Sequence, residues 1–199
     1  MTQNFLATML SPPVLQEQQR FYGKTQRVPT GSDGDVIGPD EAAFIQARDS
    51  FYLSTVSPDG WPYIQHRGGP RGFLQVRDEH TVAFADLGGN RQLLSTGNLA
   101  ANDRVALFLM DYPHQERLKL MGHATILPAK TNFALAAELT PEGIAPNRVE
   151  RIFVIRVTGL NWNCTQHIKP RFTAEEIQAA TAPLHERIRE LELALKQAN

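Results

Sequence analysis

The segment best suited to chemistry is Phe84–Arg104, FADLGGNRQLLSTGNLAANDR. A strand-like run ends at Gly88 and Gly89, and Arg91 follows where a helical pattern begins, with Asn90 as its candidate N-cap. The first turn of a helix carries unpaired N–H groups and a partial positive charge, which together favour an anion. Glycines let a ligand approach the backbone, and a guanidinium matches a phosphate. The segment therefore favours a phosphate site, the alternative being a plain turn with a surface arginine.

Three further cations lie on predicted strands and bear on the same question. Arg67 ends one strand just before Gly68 and Gly69, while Arg117 and Lys119 share one face of a later strand by the period of two. A single cation on a strand is usually a solvated surface charge. Three of them around one helix N-terminus would form an anion site, and only the fold decides whether they converge.

A second cluster of reactive side chains follows the last predicted strand, in Asn161–Phe172, NWNCTQHIKPRF. His167 could donate a proton or hold an anion, and Arg171 could bind a carboxylate or a phosphate. The alternative is a structural crossover that ends the barrel. Cys164 is the only cysteine, and nothing in the sequence assigns it a base, so we do not predict a catalytic thiol.

The composition narrows the class of protein. The chain has 199 residues and a net charge of −1, so any anion site is local and nucleic acid is not a predicted partner. The single cysteine excludes an internal disulfide, and no HExxH, GxSxG or GxGxxG motif is present, so we predict no metal site, serine hydrolase or Rossmann site. The N-terminus lacks a signal-peptide pattern and the apolar runs are short, which predicts a cytoplasmic protein without a membrane partner.

The hydrophobic periodicity predicts an antiparallel barrel. Alternating and apolar runs between Phe51 and Leu160 give about six strands, mostly joined as hairpins by Gly- and Pro-rich turns. Most successive strands are joined as hairpins rather than through helices, which disfavours a doubly wound sheet. The predicted helices are Pro13–Tyr22, Asp40–Asp49, Arg91–Ala100 and Lys130–Leu139.

Three regions follow from this pattern. Residues 1–50 form a helical segment and loop that pack on the barrel, residues 51–172 form the barrel, and residues 173–199 form a helical tail. The loop Lys24–Pro39 is polar and rich in glycine, and we expect it to act as a lid.

The predicted tail helix has a capping motif at its start and a row of apolar residues, here called the seam, along one face. Thr173 and Glu176 have the spacing of a capping box, and Pro183 is expected to break or restart the helix. The seam could pack on the chain's own barrel or on a partner helix; it consists of Leu184, Ile188, Leu191 and Leu195.

Four short motifs together resemble the pyridoxamine 5′-phosphate oxidase-like superfamily of FMN-binding split barrels. They are QHRGG around Arg67, FADLGGNRQ over Phe84–Gln92, NDR over Asn102–Arg104 and RLKLMG over Arg117–Gly122, in the order and approximate spacing of that family. The resemblance implies a mainly β, α+β fold: an antiparallel six-stranded split β-barrel with peripheral helices and a C-terminal helical tail. It also implies an FMN at the interface of a homodimer.

The resemblance further assigns roles to individual residues. Ala85 and Asp86 would lie against the flavin, and Arg67 would contact its phosphate or ribityl chain. The phosphate clamp would consist of Asn90, Arg91 and Gln92. Arg117 or Lys119 would reach the ring edge. The segment that closes over the flavin from the partner side would supply a further cofactor contact, Gln166, and the catalytic candidates His167 and Arg171.

Departures from the family pattern limit the predicted activity. Gln92 replaces a lysine of the clamp, Ala85 replaces a tyrosine, and the oxidase's R-L-x-P substrate motif is missing. We therefore expect an oxidase-related FMN-dependent oxidoreductase that takes a small-molecule substrate or a nicotinamide donor. The alternatives are a non-catalytic flavin-binding or sensing protein, and a split barrel that uses F420 or haem.

Overall fold

The computed structural model describes residues 3–31, 34–89, 91–162 and 166–198. Its centre is one antiparallel sheet with the strand order β2-β1-β5-β6-β7-β4-β3. The strands are β1 (Ser50–Val56), β2 (Pro62–Gly68), β3 (Gln75–Asp78), β4 (Thr81–Leu87), β5 (Arg104–Asp111), β6 (Glu116–Pro128) and β7 (Val149–Trp162). The described residues thus hold seven strands, where the sequence predicts about six.

Six α-helices surround the sheet in the described part of the chain, with 3₁₀ turns at Ala129–Thr131 and Pro146–Arg148. The helices are α1 (Gln3–Met9), α2 (Pro12–Tyr22), α3 (Pro39–Gln46), α4 (Leu94–Ala101), α5 (Phe133–Leu139) and α6 (Ala174–Ala198). The predicted end of the helix at Tyr22 is confirmed, because the next residue, Gly23, adopts a left-handed conformation at φ 66°.

The sheet curls because its two longest strands, β6 and β7, twist and bulge around the core. Their register shifts between Met121 and Gly122, where the two backbones come very close together. The core inside the curl is aromatic and aliphatic, and Phe84 stacks on Phe153 with ring centroids 4.8 Å apart. The edge strand β2 approaches β4 across the gap, where Arg67 forms an ion pair with Asp86. The fold is therefore an α+β split barrel.

The start of α3 differs from the prediction. The sequence predicts a helix over Asp40–Asp49 capped by Asp40, whereas Gly38 is the N-cap and the helix spans Pro39–Gln46. Proline is well suited to the first position of a helix, since its missing N–H needs no partner there. Glu41 accepts a hydrogen bond from the Gly38 N–H at 3.0 Å, and this contact caps the N-terminus of α3.

The helix predicted over Lys130–Leu139 is two elements. The 3₁₀ turn at Ala129–Thr131 and the helix α5 are separated by Asn132, which has a φ of −130°. Its Nδ2 donates to the carbonyl of Pro128 at 2.9 Å, so the side chain holds the break in place.

The tail helix begins as predicted but does not break. Thr173 and Glu176 form the capping box, with hydrogen bonds of 2.8 and 3.2 Å. α6 then runs through Pro183, contrary to the expected break. The helix is exposed there, so water can hydrate the carbonyl of Ala179 that loses its usual N–H donor.

The described part of the loop between α2 and α3 is fixed by Asp35. This buried carboxylate accepts hydrogen bonds from the backbone N–H groups of Asn4, Phe5 and Leu160, at 2.9 to 3.1 Å. Leu160 and Arg151 lie about 30 Å apart along β7 at the usual rise per residue. Within one chain, the loop therefore lies at the opposite end of β7 from the arginines described below, and its role as a lid stays a prediction.

No described helix is both long enough and apolar enough to cross a membrane.

Candidate functional site

A buried carboxylate bridges two arginines at the gap in the barrel. Asp86, near the end of β4, lies opposite Arg151 of β7 in the sheet and faces Arg67 of β2. Its Oδ1 is 2.5 Å from Arg67 Nη1, and its Oδ2 is 2.9 Å from Arg151 Nε and 2.8 Å from Arg151 Nη2. The Asp86 side chain is only 6% exposed, so these contacts largely replace its hydration.

The guanidinium of Arg67 packs against two phenylalanine rings, which help to fix its position. The Cζ atom lies 5.1 Å from the ring centroid of Phe153 and 5.8 Å from that of Phe84. Its Nε is buried and has no hydrogen-bond acceptor among the described residues. Arg67 therefore combines a fixed position with an unused donor.

A cavity of about 170 Å³ opens between this pair and the start of α4. It contains three guanidinium groups and one carboxylate. Its lining residues are Tyr63, Gln65, Arg67, Asp86, Leu87, Gly89, Arg91, Gln92, Leu93, Leu94, Ser95, Thr96 and Arg151. The charge balance of this lining favours an anion.

Two hydrogen bonds dock α4 over the cavity. Ser95 Oγ donates to Gln65 Oε1 at 3.0 Å, and Asn98 Nδ2 donates to Thr55 Oγ1 at 2.9 Å. These contacts link α4 to β2 and β1, the two strands at one side of the gap. The N-terminus of α4 is thereby held at the cavity.

The chain enters α4 through a strained turn rather than directly. The predicted helix over Arg91–Ala100 instead spans Leu94–Ala101, and its N-cap Leu93 makes no side-chain cap hydrogen bond. Arg91 and Leu93 have φ of 62° and 56°, a left-handed conformation that non-glycine residues rarely adopt. Arg91 is exposed at the mouth of the cavity, one turn before the helix. The predicted N-cap, Asn90, lies outside the described residues.

A second cavity of about 180 Å³ lies on the other side of the same ion pair. It shares Arg67, Asp86 and Leu87 with the first cavity and is also lined by Ala85 and Phe84. Of the predicted cofactor residues, the structure therefore brings together Arg67, Asp86, Arg91 and Gln92 in one cavity and Ala85 in the adjacent one.

Arg117 and Lys119 do not line either cavity, contrary to the convergence considered from the sequence. Arg117 lies opposite Met110 at the β5–β6 hairpin, whereas Arg151 lies opposite Pro128 at the other end of β6. The length of β6 separates these cations within one chain. Arg117 Nε is buried without a hydrogen-bond acceptor among the described residues.

The C-terminal candidates also lie away from the two cavities. Gln166 and His167 are exposed in a turn, and His167 has a φ of 67°. The guanidinium of Arg171 stacks over Tyr112 at 4.9 Å and lines a third cavity of about 350 Å³. Cys164 lies outside the described residues.

The third cavity is built around Asp111, the last residue of β5. Asp111 accepts hydrogen bonds from the His114 N–H at 3.1 Å and His114 Nδ1 at 3.0 Å, and it pairs with Arg48 Nη2 at 2.6 Å. Burial acts to raise the pKa of Asp111, but the His114 N–H and the Arg48 guanidinium outweigh it and hold that pKa below its usual value. This carboxylate is a structural counter-ion that joins α3 to the β5–β6 hairpin.

The sequence reasoning missed Arg151, Gln65 and Ser95. Arg151 begins an apolar strand, and its place opposite Asp86 depends on the β4–β7 register, which has no local signal. Gln65 is a polar residue on β2, where half-buried and exposed positions alternate, so the sequence does not distinguish it from an ordinary surface residue.

The chain belongs to the pyridoxamine 5′-phosphate oxidase family, since the family described by that name matches residues 37–160, more than half of its length. This confirms the resemblance noted from the motifs. No curated protein matches the sequence.

One of three similar solved structures has a TM-score above 0.5 and shares the fold. HupZ of Group A Streptococcus has a TM-score of 0.51 and 13% identity, over 68% of this chain and 99% of that one. A structure named F420 reductase has a TM-score of 0.44 and 22% identity, over 60% of this chain and 94% of that one. An FMN-binding protein from Syntrophomonas wolfei has a TM-score of 0.46 and 12% identity, over 62% of this chain and 83% of that one.

Proposed function

We propose that this protein is an FMN-dependent oxidoreductase of the pyridoxamine 5′-phosphate oxidase-related type, with the flavin at a homodimer interface. The observation that carries the proposal is the cavity where Arg67, Arg91 and Arg151 meet at the start of α4, in a chain of this family. A phosphate is well suited to such a set of guanidinium groups.

The described residues fit the phosphate end of FMN. Gly89 leaves open space where a side chain would stand, so a ligand can reach the backbone there. Arg67 offers a buried donor without an acceptor among the described residues. Arg151 of β7 lines the same cavity and provides a further guanidinium near Gln92, which replaces the family's lysine. This guanidinium also pairs with Asp86 and Glu150.

The size of the site supports a second subunit. The two cavities beside Asp86 measure about 170 and 180 Å³, whereas sites for ligands of cofactor size usually exceed about 300 Å³. One chain therefore has room for the phosphate and part of the ribityl chain. The rest of the flavin needs surface from elsewhere, which supports the family's dimeric arrangement for this chain.

Each candidate residue has a proposed role in that arrangement. Arg67, Arg91 and Arg151 hold the phosphate, and Ala85 and Asp86 lie beside the flavin. The second subunit provides the cation at the pyrimidine edge and the wall of the substrate site; these residues are Arg117 or Lys119, then Gln166, His167 and Arg171. FMN, when bound, accepts and returns a hydride, and the protein supplies position and charge.

The second candidate is a flavin-binding protein without turnover. Ala85 is buried where the family places a tyrosine, so it provides no aromatic surface for the flavin. Asp86 also commits two arginines to an internal ion pair. Both features weaken the positioning of a reacting ring while leaving phosphate binding possible.

Reduction by a nicotinamide under anaerobic conditions separates the two candidates. We expect the purified protein to show flavin bands in its visible spectrum. NADH or NADPH should bleach these bands without oxygen, and the later addition of oxygen should restore them. Flavin bands that neither donor bleaches would support the binding protein. Bands of F420 or haem in place of flavin would overturn the cofactor assignment.

A further inference from the structure

The tail helix α6 exposes an apolar seam that nothing in the described chain covers. The seam residues are each between 49% and 65% exposed on a helix of 25 residues, about 37 Å long. They are the four predicted residues, Leu184, Ile188, Leu191 and Leu195, and Ile177, which extends the seam toward the N-terminus of α6. The ion pair of Arg71 with Glu176 at 3.4 Å holds only the first turn to the barrel. A lone helix gains little stability without packing along such a face.

The spacing of the seam is that of a coiled coil. With Thr181 included, successive seam positions are 4, 3, 4, 3 and 4 residues apart, which is an unbroken heptad pattern. Ile188 occupies an a position, and Leu184 and Leu191 occupy the flanking d positions. A β-branched residue at a with leucine at d favours two parallel strands.

We propose that α6 pairs in parallel with α6 of a second copy of this chain. The charges beside the seam favour that orientation. Arg187 stands at a g position and Glu192 at the following e position, so the parallel pair sets Arg187 opposite Glu192 of the partner subunit twice by symmetry. Arg187 also pairs with Glu190 in its own helix at 2.8 Å, and its five donors can serve both carboxylates.

The competing antiparallel orientation either opposes like charges or leaves Ile177 uncovered, depending on its register. An antiparallel pair that layers Leu184 on Ile188 of the partner subunit sets Arg187 against Arg187 and His185 against His185. The in-register parallel pair instead stacks every seam residue on its own counterpart, including Ile177. It thus covers the whole apolar stripe without opposing like charges.

This helix pair is independent of the flavin proposal. Its two-fold axis runs along the seam, and an isologous contact between two barrels has a two-fold axis as well. The two contacts belong to one dimer where these axes coincide, and either can exist without the other.

Disulfide trapping in the full-length protein tests the proposal. In a Cys164→Ser background, we expect Leu195→Cys to form a covalent dimer under mild oxidation at least tenfold faster than Leu193→Cys. Leu193 is a matched control because it is 59% exposed on the same turn but lies off the seam. Adding Leu184→Lys and Ile188→Lys to the Leu195→Cys chain should slow trapping by at least tenfold, whereas adding Leu193→Lys should not.

Equal trapping at 195 and 193 would overturn the proposal, including when sedimentation shows that the chain is dimeric through another surface. An antiparallel pair gives that same result, because it places the two 195 positions at opposite ends of the seam. Trapping that is insensitive to the two lysines would also overturn it. Neither outcome depends on flavin content, so this proposal and the flavin proposal fail separately.

Discussion

Replacing Asp86 with asparagine should lower the free energy of unfolding by about 3 to 5 kcal/mol, the usual cost of breaking a buried ion pair from one side. The carboxylate is the counter-ion of both Arg67 and Arg151. Asparagine has nearly the same shape but no charge, so among the described residues Arg67 would stay buried without a counter-ion, and Arg151 would keep only Glu150, 2.9 Å away. Urea unfolding of the wild type and the variant measures the difference.

The same variant should respond more strongly to anions. With Asp86 neutral, no carboxylate at that position repels an anion or offsets the charge of Arg67 and Arg151, so phosphate should raise the Tm of Asp86→Asn more than that of the wild type. Asp59→Asn is the control, because Asp59 is exposed in the β1–β2 turn and should change stability by less than about 0.5 kcal/mol. Equal stability of Asp86→Asn and Asp59→Asn, with equal phosphate responses, would contradict the bridging role of Asp86.

A second large loss of stability is expected when Gly122 is replaced with alanine. A Cβ placed there would overlap the carbonyl oxygen of Arg156 and come within 3.1 Å of the Val157 Cα. Both obstacles are backbone atoms of β7, so a rotamer change cannot relieve them. Gly122→Ala should therefore cost at least about 3 kcal/mol, since β6 and β7 must separate at the bulge.

Gly97→Ala is the matched control for that substitution. Gly97 lies inside α4, and a Cβ there meets no atom within 4 Å. Alanine is the better helix former, so this variant should gain about 0.5 to 1 kcal/mol. Thermal unfolding of the two variants should shift the Tm in opposite directions. A Gly122→Ala protein as stable as the wild type would show that the β6–β7 contact at the bulge is looser than described.

Local signals explain what the sequence could predict. Pro58-Asp59-Gly60 set the first hairpin, Gly23 ended α2, and Thr173 with Glu176 started α6. The alternation of β6 and the apolar run of β5 were sufficient to predict strands. These features depend on neighbouring residues only, and the barrel followed from their sequence of hairpins.

The site was harder to predict because it depends on register and on one unusual turn. Arg151 meets Asp86 only through the pairing of β4 with β7, two strands about sixty residues apart, for which no local pattern exists. The helix start was misplaced because Arg91 and Leu93 adopt left-handed conformations that neither residue type favours. Arg117 and Lys119 lie at the other end of β6 from Arg151 within one chain, so their predicted contact with the flavin depends on the second subunit.

The central claim is that Arg91 and its neighbouring arginines bind the phosphate of FMN. The most direct measurement is the affinity of the ligand-free protein for FMN and for riboflavin, which lacks the phosphate, in the wild type, Arg91→Glu and Arg27→Glu. Arg27 is exposed in the loop after α2 and serves as the charge-matched control. We expect the wild type and Arg27→Glu to bind FMN more tightly than riboflavin, and Arg91→Glu to lose about tenfold to a hundredfold in FMN affinity with little change for riboflavin. Equal affinities for the two ligands in the wild type, or an Arg91→Glu protein that binds FMN as the wild type does, would contradict the account.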